Sequence, residues 1–390
     1  MQNRLSPQVV GAALFAGSMG IYVVPFQIGA LMDSLGLSAM QSGLLGTLEI
    51  GAMSITTLVL APMLGRWPLS RVALGGGLLA AFGELLTAVS TSVGVVPITR
   101  LLTGIGCGGI YGAVNAAVAR TDNPDRLYAQ GLAFMNLAFL VLFLILPRML
   151  VLGGHPALFG TLGIIFLLLQ PVLRRVSLAA PSGAASPEIE SAPPIAWQLV
   201  RLHFLATIFV NLGLGALWGF VERMGLDVGM SVAQVGAALS ATSLAMIGGC
   251  LFAAWLGTSA GRLLPLVLGT LITGVAALAV ALAPVPAAYV VALMISEAAY
   301  LFLSAYLIAG VTSALDPSGR VAAACGGVMF LSYSMGISTG GLIADTWSLA
   351  LIGWFALGNC LLAAPLFALV VHRLEAGPHA GPRKTRGQCT

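Results

Sequence analysis

Residues 94–118 read GVVPITRLLTGIGCGGIYGAVNAAV, with a single charge, Arg100, among glycines and aliphatic side chains. A helix crosses a bilayer with about 20 mainly apolar residues, so this stretch is long enough to span and too apolar to be a loop. It is one of a series. Cutting the chain at polar and Gly/Pro punctuation gives candidate spans at 9–32, 39–63, 72–91, 94–118, 127–151 and 157–173. A second set follows at 199–221, 231–256, 263–283, 286–310, 321–344 and 348–371. The reading is an all-α integral membrane protein with twelve transmembrane helices, leaving no room for a soluble domain.

Composition agrees. Only 8% of the 390 residues are charged and 58% are apolar, whereas soluble domains are about 25% charged. The first apolar run, from Val9, is about 24 residues, beyond the roughly 7–15 of a signal-peptide core. Seventeen basic against thirteen acidic residues are too few and too scattered for nucleic-acid binding. Cys107, Cys250, Cys325, Cys360 and Cys389 form no C-x-x-C pair, and no histidine lies near enough to suggest a zinc site. His155, His203, His372 and His379 fall at or beyond span ends, so no Ser-His-Asp or metal constellation assembles at membrane depth. The chain is expected to be neither an enzyme nor a cofactor protein, and with no nucleotide motif ATP cannot drive it directly.

Basic residues set the orientation. With the N-terminus inside, Arg4, Arg66, Arg71, Arg120, Arg126, Arg174, Arg175, Arg201, Arg262, Arg320, Arg373, Arg383, Lys384 and Arg386 are cytoplasmic. Only Arg148 and Arg223 fall outside. This asymmetry is the positive-inside pattern, and it places both termini in the cytoplasm of a cell whose inner or plasma membrane holds the protein.

One long polar interruption, Leu178 to Pro194, reads LAAPSGAASPEIESAPP, a flexible linker by composition. It divides the chain into a six-helix bundle over 1–173, a cytoplasmic linker over 174–197, a second bundle over 198–372 and a basic tail over 373–390. The halves echo each other. Leu64-Gly65 after the second span matches Leu256-Gly257 after the eighth, 192 residues later. Asn123-Pro124-Asp125-Arg126 matches Asp316-Pro317-Ser318-Gly319-Arg320, about 194 later. A near-constant offset of half the chain indicates internal duplication, common in transporters.

Twelve spans, a six-plus-six repeat and a central loop resemble the major facilitator superfamily over essentially the whole chain. That family's loop between spans 2 and 3 usually reads Gly-x-x-x-Asp-Arg-x-Gly-Arg-Arg. Here Ala61-Pro62-Met63-Leu64-Gly65-Arg66-Trp67-Pro68-Leu69-Ser70-Arg71 keeps Arg66, while Gly65 replaces the aspartate and Pro68 the second glycine. The resemblance implies a gating role for Arg66 and Arg71. Span 4 is closer to the pattern of proton-coupled members, with Arg100 ahead of Gly104, Gly106, Gly108, Gly109 and Gly112. The Gly-Pro dipeptide of drug antiporters is absent from span 5, where Ile145-Leu146 precede Pro147. The family implies two bundles rocking about a central site, and a monomer.

Charges inside a bilayer cost roughly 2.5–3.5 kcal/mol each on insertion scales and are functional candidates by default. Four lie well inside spans: Glu49, Glu84, Arg100 and Glu297. At about 1.5 Å per residue, Glu49 is about 16 Å, Glu84 about 12 Å and Arg100 about 9 Å from the outer face. Glu84 and Arg100 can form a structural ion pair across the hairpin, and Glu84 is otherwise a proton-coupling candidate. Alternatively, Arg100 anchors an anionic substrate or switches a proton on a carboxylate. Glu49, with no partner in its own helix, and Glu297, alone in the second half, are candidate proton carriers.

Helix-face spacing extends the site. Arg100, Thr103, Cys107, Tyr111 and Asn115 share one stripe of span 4. Asn211, Gly215, Trp218 and Glu222 share one of span 7, with Asn211 and Trp218 as candidate solute ligands, though the last two suit a gate or a solvated rim as readily as a binding role. Span 1 offers Tyr22 and Phe26 beside Gln27, span 2 adds Met53, and Tyr300 and Ser304 follow Glu297. The glycine runs read as close-packing surfaces. Together these residues suggest proton-coupled secondary transport of a small organic solute, aromatic or carboxylated, with a solute, protons and the bilayer as partners. The alternative is efflux of a hydrophobic or cationic compound by proton antiport, using Glu49 and Glu297. A membrane receptor is the rival of a different class.

Overall fold

The computed structural model describes residues 5–64, 66–121, 123–176, 196–257, 259–316 and 320–376. The linker stretch from Leu178 to Pro194, Gly65 and the tail with Arg383, Lys384 and Arg386 lie outside the described residues. Eleven helices are long and apolar enough to cross a membrane. One of them, Pro124–Leu173, is 50 residues long and holds two crossings. It breaks at Gly153 and Gly154, the latter at φ 60°, ψ −147°. A Cβ is strained at that positive φ, so glycine makes the sharp turn that periodicity read as a loop.

Counting that helix as two limbs gives twelve segments. They are α1 (Pro7–Leu35), α2 (Ala39–Leu60), α3 (Leu69–Val89), α4 (Val96–Val118), α5 (124–152) and α6 (155–173). The second half holds α7 (Trp197–Asp227), α8 (Val232–Leu256), α9 (Leu263–Ala281), α10 (Pro286–Ala305), α11 (Arg320–Thr346) and α12 (Leu349–Ala376). α10 runs on through a π-helical turn, Tyr306–Val311, and a short turn, Thr312–Leu315. The expected spans are recovered with longer ends: α1 and α7 each extend past the predicted limits by several residues. α7 thereby takes in Glu222 and Arg223.

The helices sort into two bundles. α4 packs on α1, α2 and α3, and α6 packs on α3. α12 packs on α7 and α9, and α10 on α8 and α9. The halves meet along two seams, α2 against α11 and α5 against α8, with α1 touching α7 between them. The repeat shows in the local chemistry. α2 opens on a capping box of Ser38 and Gln41, and α8 opens on the same box of Ser231 and Gln234.

Glycine sets the close approaches. A Cβ on Gly104 would collide with the Glu49 carbonyl oxygen, and one on Gly108 would lie 2.5 Å from that of Met53. Gly106 meets Gly76 in the same way on the α3 side. The glycine run of α4 is therefore a packing surface on two faces. It presses the backbones of α2 and α3 against the helix that carries Arg100.

Candidate functional site

The face where the chain enters α1 is called proximal, and the opposite face distal. Three charges of the first half converge in the interior, brought by three helices. Arg100 Nη1 donates to Glu49 Oε2 at 3.2 Å and to Glu84 Oε1 at 3.2 Å. Its Nη2 donates to Glu84 Oε2 at 3.2 Å and to Thr87 Oγ1 at 2.6 Å. The Phe159 ring covers the guanidinium, with its centroid 4.7 Å away. With its amide turned so that both ends are satisfied, Gln27 donates to Glu49 Oε2 at 3.0 Å and accepts from Arg100 at 3.3 Å. Gly20 clears the space for the Glu49 carboxyl, since a Cβ there would sit 2.5 Å from Oε1.

The Glu84–Arg100 pair forms, and Glu49 joins it from α2. Arg100 is 1% exposed. Carboxylates take both terminal nitrogens and a ring lies over the guanidinium, while Nε has no hydrogen-bond partner among the described residues. Two carboxyls against one guanidinium are electrically balanced only with one proton on the pair, because burying a net charge is costly.

A second group lies where α1, α4, α10 and α11 converge. It holds Tyr22 of α1, Tyr111 of α4, Glu297 and Tyr300 of α10 and Tyr333 of α11. Tyr300 donates to Asn211 Oδ1 at 2.7 Å, joining α10 to α7. The Tyr300 and Tyr333 rings lie near-parallel at 6.5 Å, and Tyr22 stacks on Phe139 at 4.0 Å. Glu297 is buried, and it makes no ion pair or hydrogen bond with any described residue. Tyr22, Tyr111, Asn115, Tyr128, Tyr300, Ser304 and Phe330 stay half-buried, the signature of an interior that is not fully packed.

The other predicted residues take different places. Phe26 is fully buried against Phe143 and is core. Asn115 donates back to the Tyr111 carbonyl at 2.8 Å, one turn along its own helix. Trp218 is not a solvated rim residue: it is 3% exposed and donates its indole N–H to the Ile21 carbonyl at 2.9 Å. Glu222, the other residue read as a possible rim, is 2% exposed. Arg66 and Arg71 are exposed in the proximal loop and at the start of α3. The guanidinium that grips that loop is Arg120, whose Nη2 donates to the Leu64 carbonyl at 2.8 Å.

Sequence reasoning missed the distal closure. Asp345 of α11 accepts from the backbone amides of Ala39 and Met40 at the start of α2. Arg223 of α7 pairs with Asp33 of α1 at 2.8 Å and donates to the Gly29 carbonyl. Among the described residues, the hydrogen bonds and ion pairs joining the halves sit at mid-depth or at the distal face. Nearer the proximal side the halves meet through an edge contact of Tyr111 on Phe330, centroids 5.6 Å apart. The structure is closed distally.

Residues 9–203 match the family model of the Major Facilitator Superfamily, half of the chain. The chain belongs to the Major Facilitator Superfamily. As a member of that superfamily it is a multi-pass membrane transporter and not an enzyme. Its fold is similar to the crystal structure of a D-xylose-proton symporter, with a TM-score of 0.72 at 14% identity over 94% of this chain and 96% of that one. No curated protein sequence matches this superfamily member.

Proposed function

We propose that the protein couples a proton gradient to movement of a small organic solute, with Glu297 as the central proton carrier. The observation that carries this reading is the isolation of Glu297, a buried carboxyl that makes no ion pair or hydrogen bond among the described residues, three positions along α10 from Tyr300, whose ring lies beside that of Tyr333. Such a carboxyl is tolerated neutral, and becomes anionic when something positive or wet reaches it. Proton and solute then compete for, or jointly occupy, one place. The fold neighbour is itself named as a proton symporter, an analogy that fits this coupling and adds nothing about cargo.

The walls bear on the class of solute. Arg100 is occupied by Glu49 and Glu84, which removes the support for a carboxylated cargo. Aromatic faces around a lone acid favour a solute with a ring or apolar body that is neutral or cationic. The alternative reading, efflux of a hydrophobic or cationic compound in exchange for protons, is accordingly the one preferred. The excess of basic residues on proximal loops supports placing both termini in the cytoplasm of an inner or plasma membrane.

The test is a reconstituted one. Purified protein in proteoliposomes is challenged with lipophilic cations, aromatic acids, amino acids and sugars, and solute-dependent proton movement is followed with a trapped pH dye. Proton flux driven by a cation or neutral aromatic compound is expected. Flux driven by organic anions alone would overturn the solute class, and transport without proton movement would overturn the coupling.

A further inference from the structure

We propose that Glu222 is a second proton-binding residue, loaded at the distal face, whose protonation permits that face to close. The reading goes beyond the central site and does not depend on which solute is carried. It begins from charge arithmetic. Arg223 reaches Asp33 with Nη2 at 2.8 Å and the Gly29 carbonyl with the same nitrogen. Asp33 is 65% exposed and Glu222 is 2% exposed. Two acids therefore share one guanidinium, and the exposed acid has the hydrogen-bonded contact.

Glu222 is left without a donor. Its Oε2 lies 3.2 Å from Arg223 Nε, yet neither atom gains a hydrogen bond there, because neighbouring side chains on one helix meet at a poor angle. The carboxyl is pressed onto α1, where a Cβ on Gly29 would lie 2.6 Å from Oε2. From α10 comes Tyr289, fully buried, whose hydroxyl donates to the carbonyl of Val221, the residue before Glu222. The groups facing Glu222 are thus Arg223 on its own helix, Asp33 on α1 and Tyr289 on α10. No further cation approaches it from α1 or α10 among the described residues.

The burial is produced by closure itself. Gly29 and Asp33 belong to the first half, Glu222 and Arg223 to the second. When α1 and α7 part, Glu222 meets distal water. When they meet, it is sealed beneath Gly29 with no donor. An anionic carboxyl pays a large desolvation cost in that step and a neutral one a small cost, so the proton must be aboard before the face shuts. Tyr289, bonded beside Glu222, lies on α10, the helix that carries Glu297.

The experiment has two arms. In wild-type protein in nanodiscs without solute, dicyclohexylcarbodiimide should form an N-acylurea on Glu222, found by peptide mass spectrometry and increasing as pH falls. In an Ile28→Cys background, where the position is 1% exposed and lies beside Gly219 of α7 in the closed form, labelling by a membrane-impermeant maleimide should be faster at high pH than at low pH, and Glu222→Gln should make it slow at both. No adduct on Glu222 while Glu297 is modified, or full pH dependence of labelling in Glu222→Gln, would overturn the proposal. The first arm needs no variant, so misfolding of Glu222→Gln leaves the proposal exposed to refutation. Adduct and gated labelling without solute-driven proton flux would sustain this site and refute the coupling at Glu297. The reverse result would do the opposite.

Discussion

Asp345 and Met40 lie 305 positions apart in the chain, yet the Asp345 carboxylate accepts the Met40 amide hydrogen at 2.8 Å. The other oxygen takes the Ala39 amide at 3.0 Å. A carboxylate from one half thus satisfies orphan donors at the positive end of a helix in the other. Asp345→Asn should weaken distal closure by about 1–2 kcal/mol, roughly 5- to 30-fold in the open population. Maleimide labelling of a cysteine at Ala39, 5% exposed and packed on Gly341 of α11 in the closed form, reads this, and an unchanged rate would show that the contact carries no closing energy.

Arg100 is expected to be a keystone of folding, not a substrate ligand. Arg100→Ala leaves two carboxyls buried with no cation and should cost about 3–5 kcal/mol, the usual penalty for breaking a buried pair from one side. Arg100→Lys should recover little, since one ammonium cannot reproduce the fork that reaches Glu49, Glu84 and Thr87. Thermal unfolding in detergent measures both. A fully stable Arg100→Ala with raised solute Kd would restore the anion-binding role.

At the central site, Glu297→Gln mimics the neutral acid permanently. Accumulation against a proton gradient should be abolished while solute exchange across the membrane continues. Loss of both together, with normal folding, would mean that the carboxylate holds the solute and not the proton.

Tyr300→Phe deletes the 2.7 Å hydrogen bond to Asn211 and nothing of the ring. A neutral bond of this kind is worth about 1 kcal/mol, so the expected change in apparent solute affinity is about 5-fold or less. Equilibrium binding in detergent checks it. A loss of 100-fold or more would assign the hydroxyl a direct contact with solute.

Gly104→Ala should destabilise the first bundle by about 1–3 kcal/mol, as overpacking does, because the added methyl meets the Glu49 carbonyl. Gly75→Ala, where a Cβ meets open space, is the matched control and should leave the melting temperature unchanged.

The fold was legible because lipid imposes a crude rule that composition obeys. Each crossing announces itself by length and apolarity, and between the limbs of Pro124–Leu173 the break at Gly153 and Gly154 turns the chain without a polar loop. The Arg100 cluster was half legible. Depth counting placed Glu49, Glu84 and Arg100 at similar levels, but the rotation of α2 toward α4 is set by Gly104 and Gly108, which spacing alone does not orient. Gln27, Thr87 and Phe159 followed from packing and had no signal of their own. Asp345 was missed, and Glu222 was placed on its stripe without its partners, for a different reason. Their meaning depends on which residues of the other half they touch, and nothing local in either segment encodes that register.

The two seams between the halves are built of unlike materials. Along α5 and α8, Pro147 and the Phe143 carbonyl pack on Gly236 and the Ser240 hydroxyl donates to the Leu140 carbonyl at 2.8 Å, with no ionic group in these contacts. Along α2 and α11 the closing contact is a carboxylate on a helix terminus. Ionic strength acts on the second and leaves the first alone, while temperature and membrane tension act on both through packing. The halves should therefore swing like a door, with α5 and α8 as its hinge side and Asp345 as its bolt.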